Sequence, residues 1–151
     1  MAEAKKTKKK KVKVVKAPVL TIAGKRKTSI AKATIKAGNG KIMINNKHLA
    51  NFPYLRKLYI SEPLRIAEDV LKEEASKFDI SVNVKGGGME SQTEAARLAI
   101  GRALVGFTKN NTLKEAFVNY DRAILVADVR RKEMRKPGDS KARKRRQTSY
   151  R

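Results

Sequence analysis

The sequence predicts an α+β domain flanked by two basic arms. Two observations predict it. Between residues 19 and 127, apolar residues recur with period two in some segments and at helical spacing in others, mixed rather than strictly alternating. Outside that stretch lysine and arginine crowd the chain. The expected division is a lysine-rich arm over 1–18, a globular body over 19–128 and an extended basic tail over 129–151. The arm should be disordered in isolation, because it cannot bury enough apolar surface to offset chain entropy.

Taken in order, Val19 to Ala23 is a short β-rich run, interrupted by Lys25-Arg26-Lys27. A second strand is expected from Thr28 to Lys36, with Ala31, Ala33 and Ile35 on one face and Lys32, Thr34 and Lys36 on the other. Gly38-Asn39-Gly40 contains an Asn-Gly pair suited to a tight hairpin, from which Lys41 to Asn45 returns as a third strand. Ser61-Glu62-Pro63 reads as a helix start, since proline is tolerated in a first turn. Leu64, Ala67, Leu71, Ala75 and Phe78 follow at helical spacing. Ile80, Val82 and Val84 alternate with Ser81 and Asn83 as a fourth strand. A helix over 91–107 places Ala96, Ile100, Ala103, Leu104 and Phe107 on one face, and a shorter helix spans Thr112 to Tyr120. The expected sheet is therefore four-stranded, with helices on one side.

Lysine and arginine number 37 against 14 acidic residues, a net charge of +23 over 151 residues. Such an excess repels itself unless a polyanion neutralises it. The candidates are nucleic acid and anionic membrane. A membrane reading needs a long apolar run or an amphipathic basic helix, and the apolar stretches are short, as at 123–127. No apolar segment follows the basic N-terminus, so a cytoplasmic protein is expected. The absence of cysteine excludes disulfides and thiolate chemistry, and the single histidine, His48, excludes a histidine-rich metal site. With no nucleophile paired to a base, no metal cluster and no cofactor fingerprint, neither catalysis nor a cofactor is expected.

The two arms differ in kind. Residues 1–16 hold eight lysines and one acid, and either a solvating or localising tail or a binding arm fits them. The tail is rich in arginine, whose guanidinium forks grip phosphate and stack on exposed bases, as folded RNA demands. Its candidate RNA contacts are Arg130, Arg131, Lys132, Arg135, Lys136, Lys141, Arg143, Lys144, Arg145 and Arg146. In the body, Lys25, Arg26 and Lys27 form a cationic turn beside Thr28-Ser29, read as an RNA contact in preference to a solvated turn. Gly86, Gly87 and Gly88 could let backbone N–H groups approach a phosphate, or simply connect a strand to a helix. No Gly-Lys-Ser/Thr follows, so this is not a nucleotide P-loop. In the next helix Ala95, Ala96, Ala99, Gly101 and Ala103 suit close packing on a sheet, while Gln92, Arg97 and Arg102 are candidates for RNA.

These residues resemble a known family. The run from Gly86 through Met89-Glu90-Ser91-Gln92-Thr93-Glu94 to Leu104 resembles the signature of the small-subunit ribosomal protein nine family. Gly24-Lys25-Arg26-Lys27-Thr28-Ser29-Ile30-Ala31 resembles its first block, and Lys141-Ala142-Arg143, Gln147 and Ser149-Tyr150-Arg151 its tail. The resemblance runs from about residue 19 to 151. It implies a split βαβ domain with a four-stranded sheet in the head of the small subunit, bound to ribosomal RNA and to neighbouring ribosomal proteins. It further implies a tail threading toward the anticodon stem-loop of peptidyl-site transfer RNA, with Ser149, Tyr150 and Arg151 at its tip. Tyr150 stands where bacterial members carry lysine, as in the archaeal and eukaryotic branches. The alternative is a free RNA chaperone or architectural nucleic-acid-binding protein, which would not co-sediment with small subunits.

Overall fold

The computed structural model describes residues 19–72, 77–138 and 141–143. Its strands are β1 (Val19–Arg26), β2 (Ser29–Ala37), β3 (Ile42–Ile44), β4 (Lys47–His48) and β5 (Phe78–Lys85). Its helices are α1 (Tyr54–Leu71), α2 (Met89–Thr108) and α3 (Asn111–Tyr120). They form one five-stranded sheet in the order β1-β2-β5-β3-β4. β5 runs antiparallel to β2 and parallel to β3.

The α+β class stands, with two corrections to the sheet. The first concerns Gly38-Asn39-Gly40, which does not close a hairpin, because β5 is inserted between β2 and β3. Of those three residues only Gly40 takes positive φ, at 79°. The loop instead caps the start of β5: Asn39 N and Lys41 N donate to Asp79 Oδ1 at 2.8 and 3.1 Å, and Gly38 N donates to the Lys77 carbonyl at 2.7 Å. The Asn39 and Lys41 amides hold the Asp79 carboxyl below its ordinary range. The second is a fifth strand. Asn45 and Asn46, with φ of 46° and 62°, turn β3 back into β4 with Ile44 opposite Lys47. Two consecutive positive-φ residues make here the kind of tight hairpin turn expected at Gly38-Asn39-Gly40.

The start of α1 also moves. Pro53 is its N-cap and Pro63 is its tenth residue, buried inside the helix. Proline removes one helical donor there; nearby, the Ser61 hydroxyl donates to the Leu58 carbonyl at 2.9 Å. The helix ends at Leu71, so Phe78 opens β5 and packs edge-on against Phe107. Ala75 lies outside the described residues.

The core lies between one face of the sheet and the helices. Ala31, Ala33 and Ile35 of β2 and Ile80, Val82 and Val84 of β5 are buried on that face. Against them α2 buries Ala95, Ala96, Ala99, Ile100 and Ala103. Small side chains let the helix lie close. A methyl group on Gly24 of β1 would stand 2.5 Å from the Ala95 carbonyl oxygen and 2.7 Å from Ala99 N. The opposite face of β1, β2 and β5 alternates into solvent.

Candidate nucleic-acid interface

Two segments far apart in sequence meet at one end of the sheet. β1 and β2 pair through Arg26 and Ser29, leaving Lys27 (φ 51°) and Thr28 as an exposed two-residue turn. Ser29 is fully buried and its hydroxyl donates to the Gly86 carbonyl at 2.9 Å. The same oxygen lies 2.8 Å from Ser91 Oγ, which accepts from Gly88 N at 3.1 Å. Gln92 Nε2 also donates to the Gly86 carbonyl, at 3.1 Å. A pair of serine hydroxyls thus fastens the cationic turn to the glycine loop and the first turn of α2.

That contact explains two of the three glycines in a way neither sequence reading contained. Gly86 and Gly87 take φ of 75° and 67°, and a methyl on Gly87 would fall 2.0 Å from Ser29 Oγ. They are there to let the turn approach. Only around Gly88 is the space open, with nothing within 4 Å of a Cβ. Gly88 is also the N-cap of α2.

Three of the candidate arginines are engaged inside the fold. Arg26 forms ion pairs with Glu94 and, at 2.9 Å, with Asp128 Oδ2. Arg97 bridges Glu62 at 2.6 Å and Asp121 at 2.9 Å, joining α1, α2 and the segment after α3. Arg102 donates to the Leu125 carbonyl at 2.7 Å and to the Ala23 carbonyl at 3.2 Å. Arg97 and Arg102, candidates for RNA in the sequence, do not project freely from α2: both are half-buried and tie elements together. The partners of Arg102 lie 23 and 79 positions away, far beyond the three- and four-residue spacings that mark helical pairs in a sequence.

Lys25 and Lys27 remain exposed, and beside them the tail leaves the body. Asp128 sets the departure. Its carboxylate accepts from Arg130 N at 2.8 Å and from the Arg130 guanidinium at 2.7 Å, and faces Arg26. The hydrogen bonds from Arg130 hold its carboxyl down at about 2. Arg26, Lys27 and Thr28 on one side and Arg130, Arg131 and Lys132 on the other line a cleft of about 650 Å³. Five of those six residues are cationic, so the cleft is suited to an anion.

Farther along, Arg131, Lys132, Arg135, Lys136 and Lys141 are exposed. Arg143 pairs with Glu133 through three hydrogen bonds of 2.6, 3.0 and 3.2 Å. Lys144, Arg145, Arg146, Ser149, Tyr150 and Arg151 lie outside the described residues, as does the arm over 1–18. Sequence reasoning gave no positioning role to Asp128, Glu94 or Ser29, the residues that hold the cations in place. Among the described residues no group of acidic or histidine side chains could hold a metal ion, and no helix is long and apolar enough to cross a membrane.

Residues 24–151 match the profile of the family described as ribosomal protein S9/S16. The small ribosomal subunit protein uS9 of Methanococcus maripaludis strain C7 is 46% identical over 136 residues, which cover 88% of this chain and 98% of that protein. Proteins of the same name from M. maripaludis strain C5 and from Methanococcus vannielii show the same identity over the same length.

Proposed function

Because the chain belongs to the ribosomal protein S9/S16 family, we propose that it is a structural constituent of the small ribosomal subunit that grips ribosomal RNA in the subunit head. The body binds RNA at the end of the sheet where the Lys27 turn, the Gly86–Gly88 loop and the root of the tail converge. The tail runs on through RNA, and its tip contacts peptidyl-site transfer RNA. Neighbouring ribosomal proteins complete the environment. The role is one of holding and positioning, without a chemical step.

The cleft between the turn and the tail carries this reading. Lys27, Arg131 and Lys132 line it together with Arg26 and Arg130, whose charges are matched by Glu94 and Asp128. The three cations left over are exposed around a cleft of about 650 Å³, more than the volume of a phosphate group. Glycines and a buried serine pair fix one wall, and Asp128 fixes the other.

Binding of the full chain to small-subunit ribosomal RNA over a range of salt concentrations tests it. Replacing Lys27, Arg130, Arg131 and Lys132 by alanine should weaken binding and flatten the log–log salt slope by roughly three units, at about 0.7–0.9 for each phosphate no longer neutralised. An unchanged slope would show that the cleft faces solvent.

A further inference from the structure

We propose that the open face of the sheet is a second RNA surface, one that takes an A-form duplex. This rests on the RNA-binding reading above and adds to it a separate site with a specified ligand.

The body's charge is divided by layer. Each helix is balanced: α1 carries Arg56, Lys57 and Arg65 against Glu62, Glu68 and Asp69, α2 two of each sign, and α3 one of each. The strands are not. They carry Lys25, Arg26, Lys32, Lys36, Lys47 and Lys85 against a single acid, Asp79. Four of these, Lys25, Lys32, Lys36 and Lys85, alternate outward, away from the helices. Asp79 sits at the far rim, 3.8 Å from Lys36, with its Oδ1 already committed to the Asn39 and Lys41 amides.

Exposed sheet faces ordinarily set opposite charges across from each other, and like charges there cost stability. Here Lys25 and Lys85 flank Ile30 in one cross-strand row. Strand spacing puts their stems about 10 Å apart, and Lys32 and Lys36 stand roughly 13–14 Å apart along β2. A polyanion relieves that arrangement.

The chemistry between the lysines selects the form of RNA. Sheets that read single strands offer aromatic rings for bases to stack on. The one benzene ring in these strands, Phe78, packs against Phe107 on the helix side. The outward face offers Thr21, Thr34, Ser81 and Asn83 instead, hydroxyl and amide groups suited to 2′-hydroxyls and phosphates across a shallow minor groove. Lys25 and Lys85 also place this face directly beside the Lys27 turn and the glycine loop, so one duplex can pass from one surface to the other.

The chain has no cysteine, which permits a clean test. A Ser81→Cys variant of the full chain, carrying a tethered iron chelate that generates hydroxyl radicals, is bound to small-subunit ribosomal RNA. Cuts on both strands of one helix, facing each other across its minor groove, are the expected result. Cuts confined to single-stranded loops overturn the proposal, as does an absence of cuts while the protein stays bound, the outcome if the face is turned away from the RNA. In parallel, a Lys32→Gln, Lys36→Gln, Lys85→Gln triple should flatten the salt slope by roughly two to three units. A matched triple on the helical side, Lys57→Gln, Lys109→Gln, Lys114→Gln, should have a much smaller effect. Equal effects would mean that only total charge matters and would also overturn it. If the unaltered chain fails to bind this RNA at all, the parent reading falls first and this surface with it.

Discussion

A methyl group at residue 87 would have to occupy φ near +67° and stand 2.0 Å from Ser29 Oγ. Gly87→Ala should therefore lower stability by about 1–2 kcal/mol from the backbone alone, with a further loss as the serine pair is pushed apart. Ser29→Ala, which removes one hydroxyl but leaves Gln92 bonded to the Gly86 carbonyl, should cost only about 1 kcal/mol. Urea unfolding of both variants checks the order, and a neutral Gly87→Ala would mean that turn and loop do not touch. Asp128 makes a prediction in pH. Its folded value, about 2, lies below the ordinary aspartate range, so its contribution is fully present above pH ~4 and disappears as pH falls toward 2. Asp128→Asn should flatten the thermal-stability curve in that acid window and leave its shape unchanged near neutrality, a comparison that scanning calorimetry makes directly. Gly87 stands out in the sequence as one of three glycines, but its contact with Ser29 does not. Ser29, Glu94 and Asp128 acquire their roles only when distant chain segments are brought together.

The elements were legible in proportion to how regular their burial is. β2 and β5 bury every second residue, and their alternation could be read off the chain. α2 buries an almost unbroken small-residue face, and its ends differ from the expected ones by only a few residues. The start of α1 was missed because Tyr54, Leu55 and Tyr59 are exposed, which blurs the helical period, and because Pro63 looked like a beginning. β4 has two residues and therefore no period at all; its only sign was Asn45-Asn46. The hairpin placed at Gly38-Asn39-Gly40 shows a different limit. Turn chemistry says that the chain reverses, not which strand it will lie beside. Where α2 crosses β1 the packing can be tested. Gly24→Ala sets a methyl group against backbone atoms of Ala95 and Ala99, which cannot rotate away. Overpacking of this kind typically costs about 1–3 kcal/mol, and with backbone on the far side the upper end is expected in denaturant melts. A change below about 0.5 kcal/mol would mean that the helix can ride up freely.

At the scale of the whole molecule the sequence was most informative about charge and least about its use. The excess of cations and its concentration toward the ends were plain, whereas the division between a balanced helical layer and a basic sheet emerges only from the fold. The tail extends this logic beyond the described residues. Ten basic residues lie between Arg130 and Arg146, and four uncharged ones separate them from Arg151. Fully extended, four residues would span about 13–14 Å. Removing Tyr150 and Arg151 should leave subunit assembly normal while weakening peptidyl-site transfer-RNA binding about tenfold to a hundredfold, the worth of one charge-assisted bond. Filter binding on purified subunits measures it. Unchanged affinity, or subunits that fail to assemble, would each remove the tip from that role.

The insertion of β5 between β2 and β3 also sets a clock. The ribosome that makes this chain releases β1 and β2 first, and they can close locally as a hairpin. The strand that must lie against the free edge of β2 ends 48 residues after β2 does. At about 5–20 residues per second, that edge waits some 2–10 s for its neighbour. Unpaired edges recruit other chains, and charged side chains are the usual guard against it. Lys32 and Lys36 stand on β2 throughout the wait, charges of the kind that discourage one nascent copy from pairing with the next.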